Sequence, residues 1–329
     1  MGQHEPDAME IGSRYLYYVD PPTFLRCSWD TDPAHADIAL IGVPWAGGNP
    51  VEREQYLGPR AVRCVSAGYH RAHREFRLDP FAQCRINDLG DVPVSVELDP
   101  RLGIDGITAF FARVAAAGAR PVTVGGDHSV TLPILRAIAG AESPLGGPVA
   151  VVHFDSHTDS YAPTAGVMNA GVGFRVGVEE GLIDPAHSLQ IGINGPMGDL
   201  GMDSFSAEAG YRVITLDEFE DLGVAGTVAE IQSRVGDAPV YVSFDLDVLD
   251  LPWAPGVADP EVGGLTVREA LKVIRGMRGL QIVGGDLVCM IPRKDGPGEV
   301  TAHSAAALMH ELVTMIVLAR SPALVAATA

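Results

Sequence analysis

The chain has 329 residues, of which 47% are apolar and 20% charged, with a formal net charge of −19. Those proportions describe a folded protein with ample core and exclude a disordered chain, while the negative charge excludes phosphate backbones and anionic membranes, which are bound through basic surface. The acidity itself reads as solubility, or as a field that steers a cationic substrate.

In chain order, residues 1–35 read as an irregular N-terminal arm. From residue 36 onward, short β-rich runs alternate with longer helical ones. The expected strands are 37–43, 121–124, 149–154, 188–193, 211–216, 239–244 and 281–284. These are near-continuous apolar runs, as in parallel strands covered on both faces. Helices are expected at 60–67, opened by Gly58-Pro59, and at 103–118, 129–140, 223–235, 266–277 and 300–319. The alternation implies a doubly wound, mostly parallel sheet flanked by helices. No linker, repeat or low-complexity stretch divides 36–329, which reads as one α/β domain. Four cysteines, at 27, 64, 84 and 289, form no CxxC pair, as in a reducing cytoplasm. The first residues, MGQHEPDAMEIGS, carry no signal pattern. No uninterrupted apolar stretch reaches the roughly 18 residues of a membrane span. A soluble, cytoplasmic protein is expected.

Three short clusters of metal-type ligands each follow an expected strand: His128 in GGDHS, then Asp155, His157 and Asp159 in HFDSHTDS, then Asp245 and Asp247 in SFDLD. Residues at alternate positions of an extended chain share a face, so each acidic cluster projects together if the chain stays extended past its strand. The glycines at 125 and 126 permit a tight turn and close backbone approach before His128. Taken singly, each Asp reads equally as a helix cap or turn former. Three clusters at equivalent strand ends do not, because converging buried carboxylates repel one another without a cation. Four carboxylates and two imidazoles carry about four negative charges, the balance for two divalent ions. The oxygen-rich set favours Mn²⁺, with Zn²⁺, Ni²⁺ or Co²⁺ as alternatives. Such a site holds a hydroxide at neutral pH and presents it to an electrophilic carbon.

The motifs resemble those of the ureohydrolases: arginase, agmatinase and the guanidino-acid hydrolases. They include IGVPW at 41–45, LGPRAVR at 57–63, GGDHS at 125–129, HFDSHTDSY at 153–161, EEGLIDP at 179–185, SFDLDVLD at 243–250 and PEVGGLTVREAL at 260–271. The resemblance covers nearly the whole chain from residue 37, in family order, and lies closer to the agmatinase and guanidinobutyrase branch than to arginase. It implies an arginase-like α/β/α fold, all six residues above as ligands of a manganese pair bridged by hydroxide, and Asp159 hydrogen-bonded to that nucleophile. It implies a homo-oligomer too, a trimer or hexamer. Four positions depart from the family pattern. Ala170 stands where a proton-shuttling His is usual, and Cys289 where a guanidinium-binding Glu is usual. The loop at 52–54 reads Glu-Arg-Glu in place of Arg-Pro-Gly, and Val257-Ala258-Asp259-Pro260-Glu261 replaces Thr-Gly-Thr-Pro-Glu. A thiol does not replace a carboxylate as a bidentate partner for a planar cation.

The nucleophile-generating half is therefore complete and the substrate-recognising half altered. Candidate substitutes on the substrate side are Glu52 or Glu54 as a carboxylate or a solvated loop face, and Trp45 as a stacking platform or a packing residue. Asn169 orients a substrate amide or forms a turn, and His303 supplies a proton or sits at the surface near a helix start. The expected activity is metal-dependent hydrolysis of a C–N bond in a guanidino or amidine-type small molecule, with a non-standard substrate. Two alternatives stand beside it: a non-catalytic homologue used in binding or hetero-oligomer assembly, and a single-Zn²⁺ amide hydrolase like the distantly related histone deacetylases.

Overall fold

The computed structural model describes residues 21–49, 54–94, 100–163, 169–321 and 324. Among the described residues, nine strands form one sheet: β1 Ser28–Trp29, β2 Ile38–Gly42, β3 Ile86–Asp91, β4 Arg120–Val124, β5 Ala150–Phe154, β6 Leu189–Ile193, β7 Arg212–Thr215, β8 Val240–Asp245 and β9 Ile282–Val288. They lie in the order β1-β3-β2-β4-β9-β8-β5-β6-β7, and every pairing is parallel. The helices are α1 Gly58–Ser66, α2 Pro100–Ala116, α3 Thr131–Ile138, α4 Gly173–Glu179, α5 Ser204–Ala209, α6 Leu216–Val235, α7 Val267–Gly276, α8 Pro292–Asp295 and α9 Val300–Arg320.

Strand alternation divides the apolar residues between two cores. Ile38 and Leu40 of β2, with Val152 and Phe154 of β5, pack with Leu308 and Leu312 of α9. Their neighbours Ala39 and Ile41, with Val151, face the opposite way and pack with Ile107 and Phe111 of α2 and Leu132 of α3. Both faces of the sheet are thus covered, which is why the strands read as unbroken apolar runs and not as alternating ones. The result is a three-layer α/β/α fold, as expected. Helix α9 is long and apolar enough to span a membrane, with a mean hydropathy of 1.4 in its best window, but that window is 83% buried inside the fold. It is a core helix.

Helices α4, α5 and α8 were not expected, α6 begins at Leu216 instead of 223, and three further parts differ from expectation. Strand β3 was not anticipated because its sequence, INDLGD, is half polar. Its Asp88 is wholly buried, paired with Arg63 at 2.9 Å and accepting the Phe24 N–H at 2.8 Å. A buried carboxylate with a guanidinium and a backbone donor is tolerated where an unpaired one is not. Residues 21–35, within the stretch expected to be an irregular arm, add β1 to the sheet edge beside β3 and bury Phe24 and Leu25. Strand β9 runs on to Val288, four residues beyond the expected 284, and so carries Cys289 to the ends of its neighbours.

Candidate metal centre

Strands β4, β9, β8 and β5 lie side by side, and all the ligand-type clusters fall at or just beyond their carboxyl ends, where ligands bind in open parallel sheets. The chain does not stay extended there. Asp155 and Asp245 each begin a turn in which a carboxylate oxygen accepts a backbone N–H two residues on, His157 N at 2.6 Å and Asp247 N at 2.9 Å. Asp247 lies in the 3-10 turn Leu246–Val248. Asp159 has a positive φ of 44°, unfavourable for a residue with a Cβ and common near functional sites. Turns made by the Asp side chains themselves, not strand alternation, gather these groups. Gly126 serves the close backbone approach expected of it: a Cβ there would lie 1.5 Å from the Trp45 carbonyl oxygen.

The six predicted residues converge in two overlapping sets. Around His128 Nδ1 stand Asp155 Oδ2 at 3.0 Å, Asp159 Oδ2 at 3.0 Å and Asp245 Oδ2 at 3.2 Å. Around His157 Nδ1 stand Asp155 Oδ1 and Asp247 Oδ2, both at 3.3 Å. Asp155 turns one oxygen to each imidazole and joins the sets. The side chains of Asp155, Asp245 and Asp247 are 0–3% exposed, while Asp159 is 11% and His157 29% exposed. Asp159 and His157 are the members that face solvent.

The protonation pattern of the protein groups alone shows what the cluster requires. Burial pushes Asp247 well above the usual carboxylate range, with Asp245 and Asp155 adding repulsion. Burial works against the charged form of His128, yet Asp155, Asp159 and Asp245 overcome it and hold its pKa well above the ordinary value. His157 is likewise raised against burial by Asp155 and Asp247. Burial also raises Asp159 and Asp245, while Asp155, against its own burial and faced by three imidazoles, is held well below the usual range. Three acids that retain protons and two imidazoles that gain them mark a deficit of positive charge, which divalent ions supply.

The imidazole of His128 is also aimed for coordination. Its Nε2 lies 2.9 Å from Ser243 Oγ, and that hydroxyl donates to Asp286 Oδ1 at 2.7 Å. With the hydroxyl proton committed, Nε2 carries the hydrogen and donates it to Ser243. The Nδ1 lone pair is left toward the carboxylates, buried and in hydrogen-bond geometry with none of them. An outer acceptor that fixes the tautomer of a metal-binding His is the usual arrangement. Thr131 Oγ1 and the Tyr241 hydroxyl each donate to Asp286 Oδ2 at 2.8 Å and hold it still. His153, buried and kept neutral by that burial, faces Asp155 Oδ2 through Nε2 at 2.8 Å and Gln190 Nε2 through Nδ1 at 3.2 Å. Ser156 ties the second strand end to the first, its N–H donating to Asp247 Oδ1 at 3.1 Å and its hydroxyl to the Asp247 carbonyl at 2.9 Å.

These supporting residues were not predicted. His153 stands two positions before Asp155 on the same strand face, a signal present in HFDSHTDS. Asp286 and Ser243 had no such signal, since they meet His128 only through strands distant in sequence. The tentative substrate contacts fare differently. Trp45 is 8% exposed, donates its indole N–H to Ser129 Oγ at 3.1 Å and belongs to the core under α2; the structure gives it to packing. Asn169 caps the turn Ala170–Val172 by accepting the Gly171 N–H at 3.0 Å. His303 is exposed on α9 and stacks on Tyr69, outside the cluster's hydrogen-bond network. Glu52 lies outside the described residues, and Glu54 pairs with Arg293 at 2.8 Å. Cys289 is buried beside the cluster, with its sulfur, His128 and Asp245 donors all within 4.8 Å of one another.

A parallel three-layer sheet with side-chain groups able to hold metal at its strand ends defines an arginase-type fold and site. The profile of the arginase family matches residues 36–315, and the chain belongs to that family, in its agmatinase and guanidino-acid hydrolase branch. It is 44% identical to guanidinopropionase of Pseudomonas aeruginosa over 312 residues, 94% of this chain and 95% of the relative. It is 37% identical to agmatinase of Enterobacter over 294 residues, 88% of this chain and 91% of the relative. Among solved structures, proclavaminate amidinohydrolase of Streptomyces clavuligerus superimposes with a TM-score of 0.87 at 37% identity, covering 93% of this chain and all of that one. The chain is thus an enzyme of the amidinohydrolase type.

Proposed function

We propose that the chain hydrolyses a C–N bond of a guanidino small molecule at a pair of divalent ions held by His128, Asp155, His157, Asp159, Asp245 and Asp247. The observation that carries this is the shared carboxylate of Asp155, which faces His128 with one oxygen and His157 with the other. The donor set fits such ions by its charge and by the buried Nδ1 of His128, ringed by three carboxylates and in hydrogen-bond geometry with none of them. Its oxygen-rich composition favours Mn²⁺. Divalent ions held there would lower the pKa of bound water and so supply a hydroxide at neutral pH.

The protein groups divide the remaining work. Asp155, Asp245 and Asp247 are buried and fixed by backbone N–H donors or by His153, so they set position. Asp159, partly exposed, faces the side from which substrate arrives and accepts a hydrogen from the attacking water, orienting it toward the carbon. His157, the most exposed of the six, lies at the same face and is placed to exchange protons during turnover.

On the substrate side, Ala170 opens the turn beyond Asn169, and Asn49 Nδ2 reaches Asp259 Oδ2 at 3.3 Å. Asp259, exposed on the loop that crosses Cys289, offers the carboxylate that position 289 lacks. The relatives' names give a guanidino acid or amine as the substrate class, and the altered wall favours one of different shape from agmatine. The family resemblance supports a homo-oligomer, and the composition supports a cytoplasmic location.

Urea release by the Mn²⁺-loaded chain across a panel of guanidino amines and acids tests the reading. Turnover of at least one compound is expected. No release from any of them, with metal confirmed bound, would contradict it.

A further inference from the structure

Cys289 directly follows β9, the strand lying between the one that leads to His128 and the one that carries Asp245. Its backbone is held from both sides, donating its N–H to the Gly126 carbonyl at 2.8 Å and accepting the Ala258 N–H at 3.1 Å. The residue has a positive φ of 69°, a conformation that a residue with a Cβ seldom adopts. These constraints fix a thiol that is only 6% exposed and meets the Asp245 carboxylate.

A second observation independently points to a ligand at the same place. His128 Nδ1 is buried, has no hydrogen-bond partner and faces this cluster. The sulfur, the imidazole nitrogen and an Asp245 oxygen lie within 4.8 Å of one another. Bonds of about 2.0–2.3 Å to nitrogen and sulfur need these donors no more than about 4.3 Å apart, so a small inward rotation of the side chains brings all three onto one ion.

We infer that Cys289 is a metal ligand, so that the ion position formed by His128 and Asp245 carries a sulfur donor beside its nitrogen and oxygen donors. The inference rests on the metal-centre reading above and goes beyond its six-residue ligand set. On binding, the thiol proton passes to solvent and a sulfur lone pair goes to the ion. No redox change is involved. A thiolate suits Zn²⁺ and Co²⁺ better than Mn²⁺, so the two positions differ in preference: the one at Cys289 favours the softer ion, and the all-nitrogen-and-oxygen one at His157 and Asp247 does not.

The test is optical. The full-length chain is stripped with a chelator and titrated with Co²⁺, and both bound metal and the absorption spectrum are measured. A near-ultraviolet thiolate-to-Co²⁺ charge-transfer band is expected in the unaltered protein. Cys289→Ser should still bind Co²⁺ and lose that band. Bound Co²⁺ without the band in the unaltered protein would overturn the inference and leave the metal centre standing, whether or not the variant folds. Retention of the band in Cys289→Ser would assign it to Cys27, Cys64 or Cys84 and overturn it equally. Failure to bind any Co²⁺ would contradict the metal centre and this ligand together.

Discussion

The strand-end cluster and the wall that faces it are built on different terms. In the cluster nearly every donor is held by a buried neighbour: Asp155 by His153 and the His157 N–H, Asp247 by Ser156, His128 by Ser243 and through it Asp286. In the wall, the loop at 257–259 lies against Cys289 mainly through backbone pairing, and its Asp259 side chain is exposed. A network in which each member fixes the next tolerates little change, because any loss leaves a buried polar group unsatisfied. An exposed carboxylate on a loop bears no such penalty. Under the proposed function, the difference lets the substrate-side loop vary while the groups that would activate water are kept.

The largest effect should come from removing the shared carboxylate. Asp155→Ala is expected to abolish urea release and loss of metal should accompany it, with circular dichroism unchanged. Unaltered turnover would break the contrast, since the cluster would then not be the reacting half. Asp286→Asn tests whether the outer network matters. It should weaken metal binding by about 10- to 100-fold, measured by calorimetry, because Ser243 would no longer be fixed as the acceptor for His128. An unchanged affinity would show that His128 is oriented by packing alone.

Metal removal should lower stability measurably. Binding to the native state alone adds RT ln(1 + [L]/Kd), about 2.7 kcal/mol at a hundredfold excess over Kd, so chelation should lower Tm and readdition restore it. A Tm indifferent to metal would mean that the carboxylates are accommodated by protons alone. The smallest effect belongs to the wall: Asp259→Asn should raise the KM for simple guanidines several-fold by removing the loop carboxylate, with metal binding unchanged. An unchanged KM would place substrate recognition elsewhere, with Ala170 the next position to alter.

Much of this was legible in the sequence for identifiable reasons. Seven of the strands are apolar runs because both sheet faces are covered, and the six cluster residues stand in three compact motifs. What was not legible depends on distant contacts or on turn geometry. β3 is hidden by Asp88, whose burial makes sense only with Arg63 in place. Asp286 and Ser243 reach His128 across the sheet, and no spacing rule joins positions 128, 243 and 286. The gathering of Asp155, His157 and Asp159 was expected from an extended chain, but Asx turns and a positive φ at Asp159 accomplish it. Trp45 offered an aromatic face in sequence, and the structure uses that face for packing under α2.

The measurement that bears most directly on the account is the number of divalent ions bound per chain, determined by elemental analysis after Mn²⁺ loading and removal of excess metal. Two ions per chain are predicted, falling to one or none in Asp155→Ala. A protein that retains no metal under these conditions would contradict the dinuclear centre on which the proposed hydrolysis depends.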